Sequence, residues 1–280
     1  MTIVKVGVIN YLNTYPIYYG IEKGLLKIPR NTVIVKGVPT VLNKLLENGE
    51  IDISVISSFE YAKNYKNLLI LPNLSVGANK KVMSVLFLTR KPIEKLGGSK
   101  IYLTNASLTS KMLLLIYLKK LGVKPKIEEF EYSKELPKEE HDGVLVIGDD
   151  ALILSHKNSY SHAYDLAEIW YSMTKLPFVF ALWCVNEKSL IEKRDDTANV
   201  IELIYKSKEI GKKNYRKIAS EKSKELGIPY KKCMEYLKTL HFDLDNKYLE
   251  GLKLFLKLAK EEGIINEEPS LRFYNSENRR

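Results

Sequence analysis

The chain has 280 residues, 45% of them hydrophobic, and a formal net charge of +10. Length and apolar content suffice for a large core in two lobes and exclude a disordered chain, because charged residues are interspersed with apolar ones rather than blocked. The positive balance suits attraction of a small dianion; much of it lies between Lys206 and Lys238, where lysines alternate with Glu209, Glu221 and Glu225 as on solvated helix faces, and no nucleic-acid motif accompanies it.

The chain opens with Val4, Val6, Val8 and Ile9, a buried-strand pattern that stops at Asn10-Tyr11-Leu12-Asn13-Thr14-Tyr15. Pro16 then suits the start of a helix running to Gly24. In an α/β sheet such a loop lies where ligands bind. The Asn13 amide there offers donors and an acceptor without adding charge, although turn and cap formation alone also accounts for Asn10 and Asn13. A strand near Thr32–Lys36 follows, then a helix with Val41, Leu42, Leu45 and Leu46 at helical spacing and Gly49 as its C-terminal cap. Ile51–Ile56 reads as a strand running into Ser57-Ser58 and a helix from about Phe59. The two serines read equally as N-caps and as anion-binding hydroxyls beside a helix start.

After an apolar run at Leu68–Leu71 and a loop through Pro72, Gly77 and Asn79, a long strand, Val82–Thr89, is expected to carry the chain into a second lobe. Ser84 within it either bonds to backbone or faces a polar cleft. Pro92–Leu96 and Gly97-Gly98 give a short helix and a turn. A strand over Lys100–Leu103 meets Thr104-Asn105-Ala106-Ser107-Leu108-Thr109-Ser110 and a helix ending at Gly122, an arrangement that suits a carboxylate as well as ordinary capping. Gly143–Gly148 forms another strand, ending in Asp149-Asp150-Ala151, carboxylates able to cap a helix, meet a ligand or act in acid-base chemistry. A helix from Asp165 carries Trp170 and Tyr171 to Lys175. Phe178–Val185 then returns the chain to the first lobe, and the rest reads as packing helices: one over Thr197–Leu226, a short one after Pro229 and one from Asp245.

The expected fold class is therefore α/β, a clamshell of two mixed, mainly parallel sheets with helices on both faces and a ligand cleft between the lobes. Residues 1–88 and 178–280 form lobe 1, and 89–177 an inserted lobe 2. No Walker loop, Gly-x-Gly-x-x-Gly or Gly-x-Ser-x-Gly is present. His141, His156, His162 and His241 show no paired spacing, so no metal site is expected. Cys184 and Cys233 form no disulfide framework, as in a reducing cytoplasm. With no leader of signal type and no run near the roughly 20 apolar residues that span a bilayer, a cytoplasmic protein without a membrane partner is expected, monomer or homodimer.

Six separated motifs carry a resemblance: Asn10-Tyr11-Leu12-Asn13-Thr14-Tyr15-Pro16, Ser57-Ser58-Phe59-Glu60-Tyr61-Ala62, Val82-Met83-Ser84-Val85, Thr104-Asn105-Ala106-Ser107, Ile147-Gly148-Asp149-Asp150-Ala151 and Leu176-Pro177-Phe178-Val179-Phe180-Ala181-Leu182-Trp183. In this order they resemble the menaquinone-biosynthesis chorismate dehydratase family, over residues 1 to about 185. The resemblance implies the type II periplasmic-binding-protein fold and a lyase that removes water from chorismate, a dianion, to give 3-[(1-carboxyvinyl)oxy]benzoate on the futalosine route, without a cofactor. It places Asn13 at the reacting centre with Ser84 beside it. Thr104, Asn105, Ser107 and Thr109 would hold a substrate carboxylate, faced by Ser57 and Ser58. Asp149 would touch the ring hydroxyl or serve lobe closure, and Tyr171 and Phe178 would wall the cleft. Asn13, Ser84 and Thr104 are thus expected around one cavity. Two other readings remain. One is 1,4-dihydroxy-6-naphthoate synthase, whose N-terminal Ser-Pro-Cys-Pro-Asn-Asp differs from Val8-Ile9-Asn10-Tyr11-Leu12-Asn13 here; the other is a non-catalytic anion-binding protein.

Overall fold

The computed structural model describes residues 2–131, 136–155 and 160–275, with the backbone of 156–157. The first lobe begins with β1 (Val4–Val8), α1 (Tyr15–Glu22), β2 (Thr32–Lys36), α2 (Pro39–Glu47), β3 (Ile53–Ser57), α3 (Ser58–Asn64) and β4 (Leu68–Ala78). The second holds β5 (Val85–Thr89), β6 (Lys100–Thr104), α4 (Leu108–Lys120), β7 (Lys126–Phe130), β8 (Gly143–Ile147), α5 (Gly148–Lys157), β9 (His162–Asp165) and α6 (Leu166–Thr174). The chain then returns through β10 (Phe178–Asn186) to α7 (Glu187–Glu192), α8 (Arg194–Lys213), α9 (Tyr215–Leu226), α10 (Tyr230–Thr239), β11 (Leu240–His241) and α11 (Asn246–Glu261).

Two sheets result, ordered β11-β4-β10-β3-β1-β2 and β7-β6-β8-β5-β9. Between these strands, pairing is parallel only in β2-β1-β3 and β7-β6-β8 and antiparallel in the other five pairs, so the sheets are mixed but not mainly parallel as expected. The strands that arrive from the opposite lobe run the other way for a geometric reason. The chain crosses between lobes at the cleft, so β5 starts opposite the end of β8 (Val85 against Ile147) and β10 starts near the end of β3 (Ala181 against Ser57). β3 and β8 are Val- and Ile-rich and almost wholly buried, as strands covered on both faces must be. No helix among the described residues is long and apolar enough to cross a membrane.

Several elements differ from expectation. β4 does not stop at Leu71 but runs eleven residues through Pro72 and Gly77. The register against β10 shifts between the Ile70–Cys184 and Ser75–Leu182 pairs, and that bulge accommodates Pro72, which has no N–H to give, and Asn73 at φ 52°. The crossing is therefore residues 79–84, and Val82–Ser84 is not strand. The buried Asp165 carboxylate, which caps α6 through the Ala167 N–H at 2.9 Å, also accepts the Val82 and Met83 N–H groups at 3.0 and 2.7 Å. It holds Met83 at φ 63°. Asp165→Ala is expected to cost about 2–4 kcal/mol, since several charge-assisted bonds and a cap vanish together. Thermal unfolding at wild-type temperature would show that the crossing does not depend on this carboxylate.

The helix expected over Thr197–Leu226 is two helices, α8 and α9, broken at Asn214. The break lets both pack on α1, the helix that follows the first-strand loop. At the α1–α8 crossing Gly211 lies against the Pro16 backbone, and the Ser207 hydroxyl accepts the Gly20 N–H at 3.0 Å.

Candidate functional site

The carboxyl ends of β1, β3, β6 and β8 face one another across a cleft, the position where open α/β sheets bind ligands. The cleft, its open mouth included, holds about 510 Å³ not filled by protein. Its lining follows directly from the chain order. The first-strand loop supplies Tyr11, Asn13 and Thr14, α2 its first residue Pro39, and the β3 end Ser57. The β6–α4 junction supplies Ala106, Ser107 and Ser110, the β8 end Ile147 and Gly148, and β10 Phe180 and Ala181. No lining residue carries a charged side chain. Instead, helices α1 to α5 all begin at this cavity. At their starts the positive ends of the helix dipoles, about half a charge each, gather around it.

The first-strand loop is rigidly held. The Thr14 hydroxyl donates to the Ile9 carbonyl at 2.7 Å and to the Tyr11 carbonyl at 3.1 Å, and Leu12 is fully buried. Within this frame the Asn13 Oδ1 is buried without a hydrogen-bond partner. An orphaned buried acceptor costs about 1–3 kcal/mol, which makes this oxygen a candidate to meet a donor from outside the chain. Tyr11 packs its ring on Gly148, where an added Cβ would lie 3.1 Å from the ring carbons. Burial, then the nearby Asp150 and Asp149, pushes the Tyr11 phenol up to about 12, so it stays protonated.

Ser57 and Ser107 cap α3 and α4, their oxygens accepting the Glu60 and Ser110 N–H groups at 3.3 and 3.2 Å. Capping and ligand binding are compatible here. The oxygen accepts from the helix, which leaves the Ser57 proton and one proton of the hydrogen-bonded Ser107–Ser110 pair to be donated into the cleft. Ser110, whose Oγ is 3.0 Å from that of Ser107, also lines the cleft. It was not singled out from the sequence, although its place one turn after Ser107 puts it on the same face.

The other residues named from the sequence lie around the cleft rather than on its wall. Ser58 is fully buried and donates to the Val179 carbonyl at 2.7 Å. Thr109 accepts the Phe59 N–H at 2.8 Å, tying α4 to α3 across the lobes. The Thr104 hydroxyl accepts the Ala106 N–H and borders a small recess with Tyr11, Phe130 and Asp150 beside the main cavity. The Asn105 N–H donates to the Phe130 carbonyl, and its side chain does not line the cleft. Ser84 accepts the Tyr236 hydroxyl at 2.9 Å, and its carbonyl accepts the Gly148 N–H at 2.7 Å, so it braces the crossing instead of facing the cleft. Asn13, Ser84 and Thr104 therefore do not share one cavity.

Neither aromatic expected as a wall is one. Tyr171 sits on α6 beneath the Lys80 and Lys175 ammonium groups. Phe178 is core, packed on Trp170, Phe180 and Phe255. The cleft aromatic of β10 is Phe180, because a bulge between Val179 and Ala181 breaks the alternation that would give Phe178 and Phe180 the same face. Asp149 lies just behind the wall, its Oδ1 accepting the Leu12 N–H at 2.9 Å. Burial raises its carboxyl to about 6, partly offset by that bond and by Lys222. His141, His162 and His241 do not line the cleft; the His156 side chain lies outside the described residues. Among the described residues no three His, Cys, Asp or Glu side chains are grouped to hold a metal.

The profile of the family described as "Menaquinone biosynthesis" matches residues 4–261. A chorismate dehydratase of Thermus thermophilus is 29% identical over 264 residues, covering 89% of this chain and 92% of its own. One of Campylobacter jejuni is 31% identical over 262 residues, covering 91% of each. The periplasmic aliphatic sulphonate binding protein of Escherichia coli superposes with a TM-score of 0.67 at 12% identity, covering 97% of this chain and 96% of its own. That likeness is one of fold alone.

Proposed function

The chain belongs to the menaquinone biosynthesis family, and from that membership we propose that it is a chorismate dehydratase, a hydro-lyase converting chorismate to 3-[(1-carboxyvinyl)oxy]benzoate and water. The reaction suits a site built of neutral donors. Losing the C4 hydroxyl and the C3 proton turns a cyclohexadiene into a benzene ring, so aromaticity supplies the driving force. What remains for the protein is to orient the ring, exclude bulk water and balance two carboxylates.

The observation that carries the reading is the buried, unpartnered Asn13 Oδ1 in a charge-free cleft ringed by helix N-termini. A carboxylate seated at the α4 start is met by N–H groups and by the Ser107 and Ser110 hydroxyls, with Ser57 facing it from the other lobe. Preorganised dipoles in a water-poor cleft stabilise such charge strongly. Asn13 then accepts the C4 hydroxyl proton through Oδ1, or donates its amide N–H to the side-chain carboxylate. With no ionisable acid or base side chain on the lining except the Tyr11 phenol, kept protonated by burial, the substrate's own enolpyruvyl carboxylate is the proton acceptor that fits best. The decisive experiment incubates the purified protein with chorismate and follows the aromatic acid by absorbance and mass spectrometry. Stoichiometric formation of 3-[(1-carboxyvinyl)oxy]benzoate is expected; binding without conversion would overturn the assignment.

A further inference from the structure

Asp149 is not on the cleft wall, yet it grips the chain next to the residue that matters there. Its Oδ1 takes the Leu12 N–H across the two lobes, and Asn13 is the next residue. Because Leu12 is fully buried, the segment is fixed from one side by packing and from the other by this carboxyl. The first turn of α5, which carries Asp149, is itself anchored. The Gly148 N–H donates to Ser84, whose hydroxyl accepts from Tyr236 on α10, and Lys232 of α10 donates to the Leu152 carbonyl at 3.1 Å and to the Ser155 hydroxyl at 2.9 Å.

We propose that Asp149 is a positioning residue for the dehydration: by accepting the Leu12 N–H it latches the lobes together and sets where Asn13 stands in the closed cleft. The reaction it serves rests on the chorismate dehydratase reading; the latch itself does not.

The groups facing Asp149 are Tyr11 on the loop, Asp150 on α5, Lys222 and Glu225 on α9, and Cys233 and Tyr236 on α10. Lys222 is ion-paired to Glu225 at 2.8 Å and covers the Tyr15 ring, so it only partly compensates a charge on Asp149. The closed state therefore prefers the protonated carboxyl, at about 6 against 3.8 for an exposed aspartate. The latch is at full strength below the lower value and weakens as pH rises through the upper one. Near neutrality it stands at its weaker end.

Hydrogen exchange at the Leu12 amide, corrected for its intrinsic rate, tests the latch without reference to turnover. In the wild type, protection is expected to fall by up to roughly ninefold between pH 5 and 7. Asp149→Asn keeps an oxygen acceptor without a titrating charge, so its protection should be independent of pH and most of kcat retained. Asp149→Ala should lose the protection and about 10- to 100-fold in kcat, with a much smaller change in KM, since a misplaced group near the reacting centre is costly. Wild-type protection and kcat in Asp149→Ala would overturn the proposal. So would a pH dependence in Asp149→Asn matching the wild type, a result that stands even if the alanine variant does not fold. Failure of the wild type to convert chorismate would sink the reaction assignment and leave the exchange result to decide the latch.

Discussion

Replacing Asn13 by alanine is expected to lower kcat/KM for chorismate by about 10²- to 10³-fold, the usual cost of removing one preorganised polar group at a reacting centre, without lowering stability. The two halves of that expectation have one source. The Asn13 Oδ1 is buried and has no partner within the protein, so the folded state carries a desolvation cost of about 1–3 kcal/mol that the alanine variant escapes. A residue held for structure would behave in the opposite way, losing stability with activity. Steady-state kinetics with chorismate, paired with thermal unfolding followed by circular dichroism, separates the cases. Turnover near wild type would remove Asn13 from the reacting centre.

Gly211→Ala should be the most destabilising single methyl addition near the site. A Cβ there would stand 1.8 Å from the Pro16 carbonyl oxygen and 2.6 Å from its carbon. Both are backbone atoms, so no side chain can swing away; α1 and α8 must separate. Overpacking of this kind costs about 3 kcal/mol or more, a drop of roughly 6–12 °C in Tm for a chain of this size. Activity should fall as well, because Pro16 follows the Asn13 loop by three residues and moves with α1. Gly227→Ala provides the contrast. Gly227 ends α9 at φ 65° with nothing within 4 Å of the added atom, so only left-handed strain of about 1 kcal/mol applies. Equal melting temperatures for the two variants would contradict the close helix crossing.

The site was readable from sequence where strand, loop and helix follow one another without interruption. Asn13, Ser57 and Ser107 each stand at a strand end before a helix, and all three line the cleft. Their placement follows from local chemistry: apolar runs form strands, polar turn residues stop them, and hydroxyls cap the next helix. Ser84, Thr109, Tyr171 and Phe178 depend on something else. Ser84 and Thr109 point at Tyr236 and Phe59, distant in sequence. The exchange of Phe178 for Phe180 comes from a bulge set by pairing with β4, and no periodicity within β10 announces it.

By itself the sequence determined the alternation of elements, the two-lobed α/β class and the loops that line the cleft, because these rest on hydrophobic period, capping and turn chemistry within a dozen residues. Only the tertiary structure decided which hydroxyls are spent on the fold and which face the cleft, where the long C-terminal helix breaks, and that Asp149 reaches Leu12. Those outcomes depend on sheet register and on bonds between residues more than a hundred positions apart, and no local pattern along the chain reveals which partners come to lie within 3 Å.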